Sequence, residues 1–107
     1  MKIAITSDGN NLDSKLDIRF GRCSFFAIYD AETKKLEFLP NPNKESMEGA
    51  GPASAQFVAS EGVQKVISGE FGYKVKSVFE SLQIQLVTLS ETEKSIAEII
   101  EMLDINK

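Results

Sequence analysis

The most reactive side chains of this sequence lie close together in the stretch "DIRFGRC". Arg19, Arg22 and Cys23 fall within five residues there, and Cys23 is the only cysteine of the chain. Two guanidinium groups bind carboxylate or phosphate oxygens through paired hydrogen bonds, and they favour the thiolate form of a neighbouring cysteine. A thiolate binds metal ions and iron–sulfur species. The alternative is that Arg19 pairs with Asp17 or Asp13 and that Cys23 is a small buried residue.

Two glycine-containing turns carry further candidate residues. In "SDGN", Asp8 and Gly9 end the first apolar run, where they could bind an anion or present a carboxylate, although Asp-Gly is also a common turn. In "EGAGPASA", Gly49 and Gly51 precede a predicted helix, whose free N–H groups and dipole favour an anion. The spacing matches neither the phosphate-binding P-loop nor the GxGxxG motif, so an ordinary glycine-rich helix start is the alternative.

Composition excludes several kinds of chemistry. The chain has no histidine and one cysteine, which excludes Ser–His and Cys–His nucleophile pairs, histidine general bases, internal disulfides and Cys-pair zinc sites. Its net charge is −4 and no basic stripe is present, which disfavours a nucleic-acid partner. No apolar run approaches the roughly 18 residues of a membrane span. We therefore expect a cytoplasmic protein with no membrane partner.

The length and the hydrophobic pattern predict a single domain, residues 1–107, with five strands and three helices. The predicted strands are Lys2–Thr6, Phe25–Asp30, Leu36–Pro40, Val63–Ser68 and Ile84–Leu89. The predicted helices are Gly51–Gly62, Gly72–Leu82 and Ser90–Asp104. Pro52 suits the first position of the first helix and Gly62 its C-terminal cap, while Ser90 and Glu93 form a capping box for the third helix.

The element order βββαβαβα predicts how these strands pair. The early hairpins make the second strand antiparallel to its neighbours, and the later β-α-β units give parallel strands with right-handed crossovers. The result is a mixed five-stranded α/β sheet covered by helices on both faces. The loop 7–24, the segment 41–51 and the turn after the fourth strand then meet at the carboxyl end of the sheet, where open α/β sheets bind ligands.

Three blocks of the sequence resemble the dinitrogenase iron–molybdenum cofactor biosynthesis family, the nitrogenase accessory-factor-like domains. They are "MKIAITSDGNNLDSKLDIRFGRCSFFAIYD", "GAGPASAQFVASEGVQKVISGEFG" and "LQIQLV", which together span Met1 to about Glu101. The resemblance implies a three-layer α/β/α, ribonuclease H-like fold with sheet order 3-2-1-4-5. It also implies a non-enzymatic role in binding, carrying or assembling iron–sulfur or iron–molybdenum species. Members often have Gly-Pro-Asn-Ala after the fourth strand, whereas this chain reads "FGYKV".

We therefore expect a small carrier for an anionic metal–sulfur cluster. Cys23 would be the metal ligand, Arg19 and Arg22 would neutralise the charge of the cluster, and the backbone at Asp8, Gly9, Gly49 and Gly51 would close the pocket. The expected partners are the cluster itself and a cluster donor or acceptor protein, with the chain a monomer or a homodimer.

Two other functions stay open at the level of sequence. One is a divalent-metal phosphotransferase or nuclease that uses Asp8, Asp17 or Asp30, although Asp30 is expected at the opposite end of the sheet. The other is a protein-interaction module without a ligand of its own. A fold of this class does not by itself decide among the three.

Overall fold

The structure, a computed structural model, describes residues 1–91 and 93–105. Its elements follow the predicted order: β1 (Lys2–Ser7), β2 (Phe25–Asp30), β3 (Leu36–Pro40), α1 (Ala50–Ser60), β4 (Lys65–Ser68), α2 (Tyr73–Ser81), β5 (Gln85–Thr88) and α3 (Ile96–Ile105). In this described part of the chain, every helix is too short or too polar to cross a membrane.

The five strands form one sheet in the order β3-β2-β1-β4-β5. Strand β2 is antiparallel to β1 and β3, whereas β1, β4 and β5 run parallel. The predicted strand order and directions are therefore confirmed. Because Ser7 pairs with Phe25, the loop between β1 and β2 starts and ends at the carboxyl end of β1.

Helices cover both faces of the sheet, because neighbouring residues of a strand point to opposite sides. On one face, α1 and α2 cover Ala4, Phe26, Ile28 and Val66. On the other face, α3 covers Ile3, Ile5, Ala27 and Ile67. The sheet is thus the middle of three layers, and its carboxyl edge lies between the helix starts and the loops that follow the strands.

The start of α1 differs from the prediction. Pro52 was expected at the first helical position, but the helix begins at Ala50 and Pro52 is its third residue. Proline is tolerated there because the N–H groups of the first turn have no partner within the helix. Gly49 is the N-cap, with a left-handed φ of 69°. Gly62, with φ 79°, follows the C-cap residue, where glycine commonly ends a helix.

The predicted start of α3 at a Ser90–Glu93 capping box is wrong. The helix begins at Ile96, and the capping box is formed by Ser95 and Glu98. The Glu98 N–H donates to Ser95 Oγ at 3.1 Å, and the Ser95 N–H donates to Glu98 Oε1 at 3.0 Å. The preceding backbone is engaged elsewhere, since the carbonyl of Lys94 accepts a hydrogen bond from the N–H of Leu16.

Candidate functional site

Two loops at the carboxyl end of the sheet are each anchored in the core by a phenylalanine. Phe20 of "RFGRC" is 2% exposed and Phe71 of "GEFG" is 9% exposed. Their ring centroids lie 5.6 Å apart, and Phe20 also packs edge-on against Phe79 of α2 at 5.3 Å. The backbones beside the rings are paired as well, through a parallel bridge between Arg19 and Glu70. The core thus fixes the positions of the charged residues that flank each ring.

Glycines allow the first loop to touch the start of α1. A Cβ on Gly21 would lie 2.8 Å from the Cα and N atoms of Gly51, and a Cβ on Gly51 would lie 2.7 Å from Cγ2 of Val75. Real Cβ atoms do not approach backbone so closely, so any larger residue at Gly21 would push the loop away from the helix. The loop, α1 and α2 therefore meet through two glycines.

A buried polar network, centred on Asn41, holds the same loop in place. Asn41 Nδ2 donates to the carbonyls of Gly21 and Cys23 at 3.1 and 3.0 Å. Its Oδ1 accepts from the Asn43 N–H at 3.0 Å and lies 3.3 Å from the hydroxyl of Ser54 in α1. One side chain therefore ties together the loop, the segment after β3 and the first helix.

The first loop, α1 and α2 border an open cleft of about 330 Å³. Its lining residues are Arg19, Phe20, Gly21, Arg22, Gly49, Ala50, Gly51, Pro52, Glu70, Gly72, Lys74 and Val75. Three of them are cationic and one is acidic, in a chain whose net charge is −4. The cleft is thus a local region of positive charge.

Both helices that reach the cleft begin there without a side-chain cap. Gly49 and Gly72 are the N-caps of α1 and α2, neither helix start receives a side-chain hydrogen bond, and neither first turn holds an acidic residue. A Cβ built on either glycine meets open space. Two positive helix ends with backbone N–H donors therefore border one cavity, which is an arrangement that binds anions.

The two arginines lie on the same side of the cleft in different surroundings. The Arg19 side chain is 58% exposed, and its Nε lies 3.6 Å from Asp17 Oδ1, as one sequence alternative expected. Arg22 is half-buried, and its Nη1 donates to the carbonyls of Lys44 and Ser46. Arg22 thus connects the cleft wall to the segment before α1, while Arg19 extends towards solvent.

Cys23 follows Arg22 in the chain but faces the core. The residue is 0% exposed, and its thiol donates a weak hydrogen bond to the Phe20 carbonyl, with Sγ 3.4 Å from the oxygen. Burial raises the pKa of the Cys23 thiol to about 12, and the Asp17 carboxylate adds to the increase. Cys23 does not line the cleft. Its role as a metal ligand stays a prediction, one that these surroundings do not favour.

Asp8 and Gly9 also lie outside the lining of the cleft. The Lys15 N–H donates to Asp8 Oδ1 at 2.9 Å, and the Ser7 hydroxyl donates to the Gly9 carbonyl at 2.6 Å, so both residues stabilise the turn after β1. Asp8 lines a separate shallow depression that shares Arg19 with the cleft. The structure therefore brings Arg19, Arg22, Gly49 and Gly51 together, and places Asp8, Gly9 and Cys23 elsewhere.

The carboxylates considered for a metal-dependent enzyme do not all meet at one place, because Asp8 and Asp17 line the same shallow depression and Asp30 lies apart from them. Asp30 pairs with Lys2 at the start of β1, at the other end of the strand from Asp8. Among residues 1–91 and 93–105, no group of three or more His, Cys, Asp or Glu side chains is arranged to hold a metal ion. The backbone N–H groups of Glu32 and Thr33 lower the pKa of the Asp30 carboxyl, because they stabilise its ionised form in the turn after β2.

Sequence reasoning missed four residues of this region: Asn41, Ser54, Glu70 and Lys74. Asn41 and Ser54 give no local signal, because their partners are distant in the sequence. Lys74 did have a local signal in the sequence. A lysine in the first turn of a helix, without an acidic residue nearby, opposes the helix dipole.

Comparisons with known proteins agree with this architecture. The sequence profile described as dinitrogenase iron-molybdenum cofactor matches residues 1–104. An uncharacterized protein of Methanocaldococcus jannaschii is 36% identical over 105 residues, which cover 95% of this chain and 84% of that protein.

Solved structures show the same fold. The apo form of the orange protein from Desulfovibrio gigas superposes with a TM-score of 0.90 at 26% identity, over 98% of this chain and 88% of that one. A Thermotoga protein assigned to NifB superposes with a TM-score of 0.82 at 27% identity, over 97% and 87% of the two chains.

Proposed function

Because this chain belongs to the dinitrogenase iron-molybdenum cofactor family, we propose that it is a small carrier protein whose cleft binds an anionic metal–sulfur cluster or its precursor. One observation carries the proposal: three cationic side chains and two helix starts without side-chain caps border one cavity. The family description supplies the class of ligand, and the charge of the cleft supplies the reason for binding.

The residues present fit such a ligand through its outer atoms. Sulfur atoms at the surface of an anionic cluster accept hydrogen bonds, and guanidinium and backbone N–H groups are suitable donors. Among the lining residues there is no cysteine or histidine, and Glu70 is the one carboxylate. In this proposal the cluster is held by charge and hydrogen bonds, and no metal–thiolate bond to Cys23 is needed.

Non-covalent binding suits a carrier. A ligand held by partly exposed charges is weakened by salt and released without breaking a covalent bond. The open side of the cleft leaves the cargo accessible to a donor or acceptor protein, which is the partner that a carrier requires. The proposed reaction is therefore transfer of an intact cluster, with no catalysed turnover by this chain.

Anaerobic reconstitution tests the proposal. The wild type and three variants are incubated with a synthetic iron–sulfur cubane dianion, desalted and analysed for retained iron and absorbance. We expect the wild type and Cys23→Ala to retain similar amounts, and Arg19→Ala to lose most of the cluster. Lys35→Ala is the matched control, because this exposed lysine lies outside the cleft, in the turn between β2 and β3.

The outcomes separate the hypotheses. Loss of the cluster in Cys23→Ala alone would restore the thiolate ligand predicted from the sequence and overturn non-covalent binding. Equal retention by Arg19→Ala, Lys35→Ala and the wild type would exclude the cleft as the binding site.

A further inference from the structure

The first turn of α2 carries charges that oppose its own helix dipole. Lys74 and Lys76 are the second and fourth residues of the helix, Gly72 is its N-cap, and no acidic residue lies in the first turn. The N-terminal end of a helix is positive, so lysines there are unfavourable and acids would be favourable. Sequences that break a local rule in this way often do so at a functional site.

The two lysines differ in what they face. Lys74 lines the cleft together with Glu70, whereas Lys76 does not. Within residues 1–91 and 93–105, neither lysine forms an ion pair, and Glu70 forms none either. Lys74 therefore adds a positive charge to the cleft, and within the described residues no carboxylate forms an ion pair with it.

We infer that Lys74 selects the ligand of the cleft by charge, favouring anions of charge −2 or more over monoanions. The bound anion takes the place of the acid that is missing from the start of α2. Coulomb energy is proportional to the charge of the ligand, so an added cation benefits a dianion about twice as much as a monoanion. This inference rests on the proposed function and specifies which anions the same cleft accepts.

Two tetrahedral probes of nearly equal shape test the inference: tetrathiomolybdate, a dianion, and tetrathioperrhenate, a monoanion. Their affinities are measured anaerobically at low ionic strength for the wild type, Lys74→Glu and Lys76→Glu. We expect Lys74→Glu to bind tetrathiomolybdate roughly five- to fiftyfold more weakly, and the loss for tetrathioperrhenate to be about the square root of that factor. Lys76→Glu, with the same change of charge, should show a clearly smaller loss for both.

The thermal stability of the unliganded variants is a second measurement. We expect it to rise where the affinity for the anion falls. Lys74→Glu and Lys76→Glu should both raise Tm, by roughly 2 to 5 °C, because each replaces an unfavourable charge at the helix start by a favourable one. A residue with a merely structural role would lose affinity together with stability. Lys74→Glu is expected to lose affinity while it gains stability.

Three results would overturn the selection by Lys74. They are an unchanged tetrathiomolybdate affinity in Lys74→Glu, an equal loss for the two probes, or an equal loss in Lys74→Glu and Lys76→Glu. If the wild type binds neither probe and no cubane cluster, the proposed function itself is overturned, and the charge selection is overturned with it. The wild-type measurements therefore distinguish failure of the binding site from failure of Lys74.

Discussion

Arg22 and Cys23 are neighbours in the chain and lie in opposite surroundings. The Arg22 side chain lines the cleft, whereas the Cys23 side chain is enclosed by the core that contains Phe20 and Phe26. Arg22 therefore contributes its charge to the cleft while its Nη1 is held by two backbone carbonyls, and the thiol is shielded from solvent. Cys23 was expected to bind the metal of a cluster whose charge Arg22 neutralises, and the backbone instead turns the two side chains to different sides of the loop.

The burial of Cys23 predicts very slow alkylation of the native protein. At pH 8 a thiol with a pKa of about 12 has on the order of a thousandfold less thiolate than an unfolded cysteine, and the thiolate is the reactive form. Mass spectrometry after iodoacetamide treatment, with and without urea, measures the difference. Rapid modification in the absence of urea would show that the thiol is accessible and would contradict the buried position.

Asn41 is the polar residue whose loss should destabilise the loop most. Asn41→Ala leaves the buried carbonyls of Gly21 and Cys23 without this amide donor, and we expect a loss of about 2–4 kcal/mol in the free energy of unfolding. Urea denaturation measures it. Asn43→Ala is the control, because only the backbone of Asn43 takes part in the network, and its change should stay within about 0.5 kcal/mol.

At the scale of elements, the start of α3 shows how tertiary contacts choose between equivalent local signals. Both Ser90–Glu93 and Ser95–Glu98 have the Ser-x-x-Glu spacing. The loop after β1 decides between them, since the Leu16 N–H donates to the Lys94 carbonyl and the Ile96 N–H donates to the Ser14 carbonyl. Backbone engaged with that loop cannot also continue the helix towards Ser90.

The position of the capping box is tested by a pair of serine substitutions. Ser95→Ala removes the acceptor for the Glu98 N–H, so we expect a loss of about 1 kcal/mol in the free energy of unfolding. Ser90→Ala, at an exposed residue before the helix, should leave stability unchanged. Thermal or urea denaturation of both variants measures the difference, and a larger effect of Ser90→Ala would favour the start predicted from the sequence.

At the scale of the whole molecule, the two faces of the sheet are covered unequally. Two helices cover one face, and the core between them and the sheet contains four buried phenylalanines, namely Phe20, Phe26, Phe71 and Phe79. Helix α3, with Ile96 and Ile99 as its fully buried residues, covers the other face together with Leu16 of the loop after β1. The first core is therefore the larger, and the cleft is built on it.

This asymmetry predicts unequal hydrogen exchange. The amides of β1 and β4 should exchange only through global unfolding, because both strands lie inside the sheet. The amides of Ile99 and Ile100 in α3 should exchange faster, through local opening of the smaller core. Exchange measured by mass spectrometry with peptide resolution compares the two groups, and equal protection would show that both layers unfold as one unit.

Local patterns in the sequence were sufficient for most of the fold. The helical spacing of Val75, Val78, Phe79 and Leu82 predicted α2 to within one residue at each end. The cleft was less predictable, because its walls depend on contacts such as Gly21 against Gly51 and Asn41 against Ser54. These pairs are separated by 30 and 13 positions, and no local spacing indicates them.

The central position of β1 has a consequence for the order of folding. Strand β1 pairs on one side with β2, its successor in the chain, and on the other side with β4, which comes only after α1. The β1–β2–β3 meander closes shorter loops than the pairing of β1 with β4, so its loop-closure entropy is the smaller of the two and it is the easier structure to nucleate. During synthesis, the free edge of β1 therefore stays without its neighbour until the polypeptide has been extended beyond α1. That interval is when a nascent chain of this protein is most exposed to aggregation.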